Sequence, residues 1–531
     1  MKNRTWIFPW TIWTFRAVMA AVLIIVLFLQ GWEYAYKPAL PWSNLACLAV
    51  GAGGALLLFL LSGGVHRLMH SGKRRYLWIG LLSLLAGCLT FWCAGHYALT
   101  PGWDVGLLCE TAQEMMWADS PELLNGYFSK YPNNILLTWL LSRSYLLSDA
   151  LGIPGGQRYF VGLAVQSLGF ALAAFLVYVC ADKMVGERHP AVPLWCWFMM
   201  LILVCASPWV VVMYSDAAAL ILIMPQVWLA MKLREDGKCR LLWAALLFFI
   251  GVLSYHIKPQ ATLFLIATGI IAVFADGRRA LRREHLRRTG ALVLACLLGA
   301  GVAQGCFRLV VKVSGLNPDP EVAFGPAHYL MMGLNTEASG TYLEEDEAFS
   351  ASFSTRKERT EQDLQRAGER VRAMGAGGLL EQAVRKILVN YSDGTFTWEK
   401  EGIFYAYDTY YFPWGSRWGY EHIPNFYISG EYTDMVEWSC SDVFRLIMQC
   451  AWMAVLLLCI FASGRRGDAR AATVLLALLG VFLFGLLFEA RARYLFANLP
   501  LFILAAGMGI GQIGEWVARL RRKKQHETAI A

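Results

Sequence analysis

The sequence predicts an all-α polytopic membrane protein of about 12 helices, and three observations carry that prediction. The 531-residue chain is 57% hydrophobic and only 16% charged, where a soluble protein would carry roughly a quarter charged residues. Its apolar residues fall in long runs, most close to the roughly 20 residues that cross a bilayer. Its Lys and Arg gather in short loops between those runs, which reads as membrane topology. The mean hydropathy of +0.45 agrees, as do the 21 Trp and 22 Tyr, since such rings collect at membrane interfaces. A net charge of +8 would suggest nucleic acid in a soluble chain; here the basic loops account for it, and no nucleic-acid partner is expected.

Taken in order, the apolar runs lie near 12–31, 45–64, 77–97, 132–150, 159–181, 191–212, 216–232, 240–256, 260–275, 289–312, 443–462, 471–489 and 495–518. The first is followed by no small-residue cleavage site and is expected to remain as an anchor. Basic clusters stand at Lys2/Arg4, Arg67/Lys73/Arg74/Arg75, Lys183/Arg188, Lys232/Arg234/Lys238/Arg240, Arg278–Arg288, Arg465/Arg466/Arg470 and Arg519–Lys524. If every run spans, these clusters fall on opposite sides. If 132–150 does not span, they share the cytoplasmic side. That run opens with Tyr131-Pro132-Asn133-Asn134 and carries Arg143, Asp149 and several Ser, so it is expected to lie in the outer interface as an amphipathic helix. Both termini are then cytoplasmic.

Four regions follow: an N-terminal hairpin, 1–76; a transmembrane module, 77–312, with a long outer loop at 98–158; an extracytoplasmic domain, 313–442; and C-terminal spans with a basic tail, 443–531. Within the third, 355–390 is rich in charge and helix formers, and 391–432 in Tyr, Trp, Phe and Gly. Of the 13 Cys, those at 88, 180, 205, 296 and 459 lie inside apolar runs and read as small buried hydrophobes. No zinc-type Cys/His spacing appears.

The chemistry-bearing residues cluster at the predicted outer face. Asp104 follows Pro101-Gly102-Trp103. It suits a general base or, more plainly, a cap on the next helix. Glu110 lies on that helix. Asp216, in Tyr214-Ser215-Asp216, reads as a tight turn or a site residue. Lys258, beside His256 and before Pro259, has no cytoplasmic reason to be basic; it either snorkels or holds a phosphate. Glu489, Arg491, Arg493 and Tyr494 stand between the last two spans. Two arginines on the wrong side for topology point to an anion site, the plainer reading being a Glu489 ion pair.

This arrangement resembles the multi-spanning glycosyltransferases of the GT-C fold, in the branch of the protein O-mannosyltransferases and lipid A aminoarabinose transferases. The matching features are Asp104 at the start of the first long outer loop, Tyr131-Pro132-Asn133-Asn134 leading an interfacial helix, Arg158 before the next span, and Glu489, Arg493, Tyr494 and Pro500 near the C-terminus. Three features depart from the pattern: the spans 12–31 and 45–64 precede the family's module as an extra hairpin, Asn133 stands where the family has a second Pro, and Val105 where it has an acidic residue. The resemblance implies a GT-C-like bundle in a bacterial cell membrane, a polyprenyl-phosphate-linked sugar as donor, an extracytoplasmic acceptor and inversion at the anomeric carbon. Asp104 would be the base. Lys258, Arg491, Arg493 and Tyr494 would hold the donor phosphate. Asp216, His256, Glu110, Tyr131, Asn133, Asn134, Arg158 and Glu489 would support or bind substrate. Trp398, Tyr405, Tyr407, Trp414 and Trp418 would stack on sugars or simply form a core. The resemblance fixes no cofactor; a divalent metal is left open, with no ligand set marked. The rival readings are a transporter or lipid-linked sugar flippase, a lipid-linked polymer ligase or polymerase, and a non-catalytic assembly protein in which Asp104 is only a cap.

Overall fold

Among the described residues of the computed structural model, ten helices are long and apolar enough to cross a membrane, and two shorter apolar helices, Val192–Cys205 and Pro259–Ala275, join them. The structure describes residues 7–69, 72–116, 125–235, 237–280, 283–402, 406–410, 412–427, 440–464 and 468–530. In chain order the first elements are α1 (Ile7–Phe28), α2 (Asn44–Leu68), α3 (Lys73–Gly95), β1 (Leu99–Pro101), α4 (Asp104–Glu114), α5 (Asn125–Lys130) and α6 (Ile135–Ala150). Then come α7 (Tyr159–Ala181), α8 (Val192–Met200), α9 (Ser215–Arg234), α10 (Arg240–Ile257), α11 (Leu263–Ala280) and α12 (Arg283–Val313). The second long loop holds α13 (Pro326–Gly333), α14 (Glu344–Ala351), α15 (Arg356–Tyr391), β2 (Ala406–Thr409) and α16 (Arg417–Tyr427). The chain closes with α17 (Cys440–Cys459), α18 (Ala469–Leu487), α19 (Arg493–Phe496) and α20 (Leu499–Ile530).

Helices dominate because backbone polar groups in hydrocarbon must be satisfied within the segment itself. The lipid-facing surface is plain on α2, where Leu56, Leu57, Leu60 and Leu61 are exposed, and on α12, where Leu294, Leu297, Leu298 and Val302 are. A soluble protein rarely leaves such patches uncovered. Small residues let the helices approach closely. A Cβ on Gly299 of α12 would overlap the carbonyl oxygen of Ala245 in α10, and one on Gly51 of α2 would overlap that of Cys450 in α17.

α6 does not cross the bundle. The Tyr159 hydroxyl, at the start of α7, donates to the Leu99 carbonyl at 3.3 Å, and its ring stacks on Tyr410 at 4.2 Å. Residues 99 and 159 therefore lie at one end of the bundle, so the chain between them starts and finishes there. α6 instead buries Leu137, Leu141 and Tyr145 and leaves Arg143 and Leu147 exposed. At the opposite end the basic loops meet. Arg75 pairs with Asp182 at 2.7 Å, Lys232 with Glu235 at 2.8 Å, and Arg470 donates to the Lys183 carbonyl at 2.9 Å.

One departure from an all-helical chain joins the two long loops. β1 and β2 pair antiparallel, Leu99 with Thr409 and Thr100 with Asp408. The charged stretch 355–390 folds as α15, bent at Gly375, whose φ of 57° lies in the left-handed region that favours glycine. The cysteines at 88, 180, 205, 296 and 459 are all free thiols.

Candidate functional site

The ends of five helices converge where the two long loops meet. Asp104 is the first residue of α4, but it is not the cap: Trp103 holds that position, and no side-chain cap bond forms. Its Oδ2 instead accepts the Tyr214 hydroxyl at 2.9 Å. Being in the first turn, it still gains from the partial positive charge of the helix N-terminus. The carboxyl is closely enclosed, and the residue as a whole is half-buried. Burial raises its pKa above the usual carboxylate range, and the Tyr214 hydrogen bond and the Arg493 charge only partly oppose that rise.

Beside Asp104 lies a network of three cations and three carboxylates. Lys258, just after α10, places Nζ 2.6 Å from Oδ1 of Asp216 in the first turn of α9. Arg493, which begins α19, reaches Asp216 at 3.7 Å and Glu401 at 2.8 Å. Arg491 pairs with Glu489 at 2.9 Å and also with Glu401. The Tyr494 hydroxyl donates to Glu489 at 2.8 Å. Aromatic faces close the cluster. Lys258 stands 4.0 Å over the Tyr494 ring, and the Arg493 guanidinium 4.3 Å over Trp103 and 5.3 Å over Tyr214. Buried charges are tolerated only when each has a close opposite charge, and here each does. Burial alone would raise the Glu489 carboxyl, but Arg491 and the Tyr494 hydroxyl outweigh it and hold the pKa below the ordinary value. Among the described residues, the Asp216 oxygens, Oε2 of Glu401, and Nε and Nη1 of Arg493 make ion pairs but no well-aligned hydrogen bond.

Three parts of this arrangement were not singled out from sequence. Glu401 lies in the turn Trp398–Gly402, and its carbonyl accepts Nε1 of Trp103 at 2.8 Å. Tyr214 holds Asp104. Tyr36, in the α1–α2 loop, lies 5.1 Å from the Arg491 guanidinium. That loop is tied down by Tyr34 on Ser392 at 2.9 Å, so the N-terminal hairpin is part of the site rather than an addition beside it. The sequence carries no signal for Glu401, because Asp104, Asp216 and Glu489 already match the three boundary cations in number.

The other sequence-selected residues divide. Asn134 donates to the Tyr127 hydroxyl at 2.7 Å, and Asn133 to Asn134 at 3.2 Å. Tyr131 packs on Tyr127 at 5.1 Å and Phe324 at 5.4 Å. Together they form a wall joining the first loop to the segment just before α13. Glu110 is exposed on α4 and takes no part in the network. Arg158 grips Asp149 at 2.5 and 3.0 Å, bracing α6 against the start of α7. His256 is not beside the cations: it meets Gln304 at 3.0 Å and stacks on Phe307 at 3.6 Å, in the α10–α12 contact. Trp398 is core, fully buried, with its Nε1 on the Tyr427 carbonyl at 2.8 Å. Trp414 and Trp418 are exposed. Tyr405 and the Tyr407 side chain lie outside the described residues. No group of three or more His, Cys, Asp or Glu suited to a metal occurs among the described residues.

A family model described as "conserved hypothetical integral membrane protein" matches residues 62–512. The chain belongs to this integral membrane protein family. No curated protein and no solved structure matches it. The matched region of this integral membrane protein contains Asp104, Tyr214 and the whole charge network; α1 and Tyr36 precede it.

Proposed function

We propose that this integral membrane protein is a glycosyltransferase. It moves a sugar from a polyprenyl-phosphate carrier to an extracytoplasmic hydroxyl acceptor, with inversion. The observation that carries the reading is the enclosed Asp104 carboxylate, held by Tyr214 beside Arg493. A base and a set of cations sit side by side at the ends of the spans, where a lipid phosphate would be level with them. The crowding of basic loops at the opposite end supports a cytoplasmic assignment for that end, and hence an extracytoplasmic site.

In this reading Tyr214 occupies Oδ2 of Asp104, leaving Oδ1 to take the acceptor's proton. The freed acceptor oxygen attacks the anomeric carbon from the face opposite the phosphate. The bond from that carbon to the phosphate oxygen breaks, and the phosphate leaves with the electron pair. Arg491, Arg493 and Lys258 balance its growing charge, commonly the largest catalytic contribution in a water-poor site. A transporter would place its charges at mid-depth on broken helices; this cluster sits at helix ends, which favours the enzyme.

The decisive assay offers the purified protein a panel of polyprenyl-phosphate sugars and follows sugar transfer. Wild type transfers one of them, and Asp104→Asn loses at least about a hundredfold, in the range for a positioned base, while keeping its thermal stability. Equal transfer by Asp104→Asn would sink the base assignment. Carrier movement across a vesicle membrane without transfer would replace the enzyme with a flippase.

A further inference from the structure

The three cations and the carboxylates of Asp216, Glu401 and Glu489 sum to zero charge among themselves. Adding a phosphate to this buried set while all three carboxylates stay would leave an uncompensated negative charge, which the interior does not tolerate. One carboxylate has to leave. Asp216 is fixed on a span and held 2.6 Å from Lys258. Glu489 is two residues from its partner Arg491 and is gripped by the Tyr494 hydroxyl. Glu401 differs from both. It bridges Arg491 and Arg493 together, no hydroxyl donates to it among the described residues, and it is carried on a short turn of the second long loop. It is 5% exposed and Arg493 is 7% exposed, yet the ion pair between them lacks an aligned hydrogen bond among the described residues. A guanidinium offers a planar fork that matches carboxylate or phosphate, and here Nε and Nη1 of Arg493 are left without that match.

We propose that Glu401 is an internal stand-in for the ligand's phosphate, a carboxylate latch on the Arg491–Arg493 fork that an anionic prenyl-phosphate headgroup displaces. The identity of the lipid rests on the transferase reading; the latch itself rests on the charge count and on Glu401 bridging both arginines. With Glu401 withdrawn both arginines lose the carboxylate they share, and the network's three cations face Asp216 and Glu489 alone, with Asp104 held apart on Tyr214; the freed fork suits a phosphodiester monoanion. After transfer the carrier is a phosphate monoester of higher charge, and Glu401 returning to the fork helps expel it. Because the Glu401 carbonyl also accepts Trp103 Nε1, displacement would be felt by the residue next to Asp104.

Binding of farnesyl phosphate to the purified full-length protein in detergent tests this, with farnesol and inorganic phosphate as controls. A site closed by its own group binds with an affinity reduced by the fraction of time it is open, so Glu401→Gln is expected to tighten farnesyl phosphate binding about fivefold or more. Farnesol binding stays the same. Glu489→Gln removes the same charge but leaves the latch, so it gives no such tightening. Glu401→Asp, too short to reach both arginines, falls between wild type and Glu401→Gln, and it decides the matter if the Gln variant does not fold. Unchanged or weaker binding in the Glu401 variants overturns the latch and makes Glu401 a structural brace. Equal tightening in Glu489→Gln overturns it as a bulk charge effect. Inorganic phosphate that binds as tightly as farnesyl phosphate overturns the lipid as the ligand, since opening the latch tightens any anion by the same factor. Intact sugar transfer with Glu401-insensitive binding removes the latch alone, whereas Glu401-sensitive binding without transfer removes the transferase reading alone.

Discussion

Tyr214 donates its hydroxyl to Oδ2 of Asp104 at 2.9 Å across two segments 110 residues apart in sequence. The bond joins the start of the first long loop to the start of α9, whose second residue is Asp216. Two residues apart on one strand of backbone, Tyr214 and Asp216 thus serve the two halves of the site: one orients the carboxylate, and the other pairs with the cations.

That bond makes a pH prediction. Asp104 works as a base only when ionised, so transfer rises with pH through its pKa. Burial puts that pKa above the usual carboxylate range, and the Tyr214 hydrogen bond is the foremost of the effects that hold it down. Tyr214→Phe removes the donor, raises the pKa further and moves the acid limb of the kcat/KM profile to higher pH, with a roughly tenfold loss near neutral pH, about one hydrogen bond to a charged group. A limb that stays in place, or moves to lower pH, would count against Asp104 as the titrating base.

The Lys258–Asp216 pair is tested by a double-mutant cycle. Lys258→Met strands Asp216 with only Arg493, at 3.7 Å, and removing one partner of a buried pair costs about 3–5 kcal/mol. Asp216→Asn costs at least as much, since it strands Lys258 and half the pairing of Arg493. The double variant is expected to lose less than the sum, by at least about 1 kcal/mol, in unfolding measured in detergent. Strict additivity would mean that the two residues do not act as a pair.

Much of this site was legible in the sequence for a topological reason. Asp104, Asp216, Lys258, Arg491 and Arg493 share one face only if the run 132–150 fails to span, and the basic loops required that. The Tyr159–Leu99 contact gives the same answer in three dimensions. What was not legible were the partners. Glu401 stands in a polar stretch like any surface turn, and only its position under two arginines distinguishes it. The cap reading of Asp104 failed because the helix begins one residue early: Trp103 takes the cap position and Asp104 already lies inside the first turn. His256 drew attention by being two residues from Lys258, but successive helical positions do not share a face, and it turns toward α12.

Lys386 of α15 gives the last prediction. Its Nζ donates to the Gly333 carbonyl at 2.9 Å and the Phe488 carbonyl at 2.6 Å, docking the second long loop beside Glu489. Burial pulls its pKa down to about 7, with the Glu489 charge opposing. A neutral amine keeps two N–H donors, enough for both carbonyls. From pH 7 up to the ordinary lysine pKa of about 10.4, the folded protein binds fewer protons here than the unfolded chain does. Its contribution to stability therefore increases with pH across that window and is lost as pH falls through 7. Lys386→Met removes the titration but strands both carbonyls, so it is expected to lower Tm most at alkaline pH and to narrow the gap from wild type as the buffer is acidified. Thermal unfolding of both proteins between pH 6 and about 9 reads this directly. A gap that widens toward acid would show that Lys386 is held charged, paired to Glu489, and not neutral between its two carbonyls.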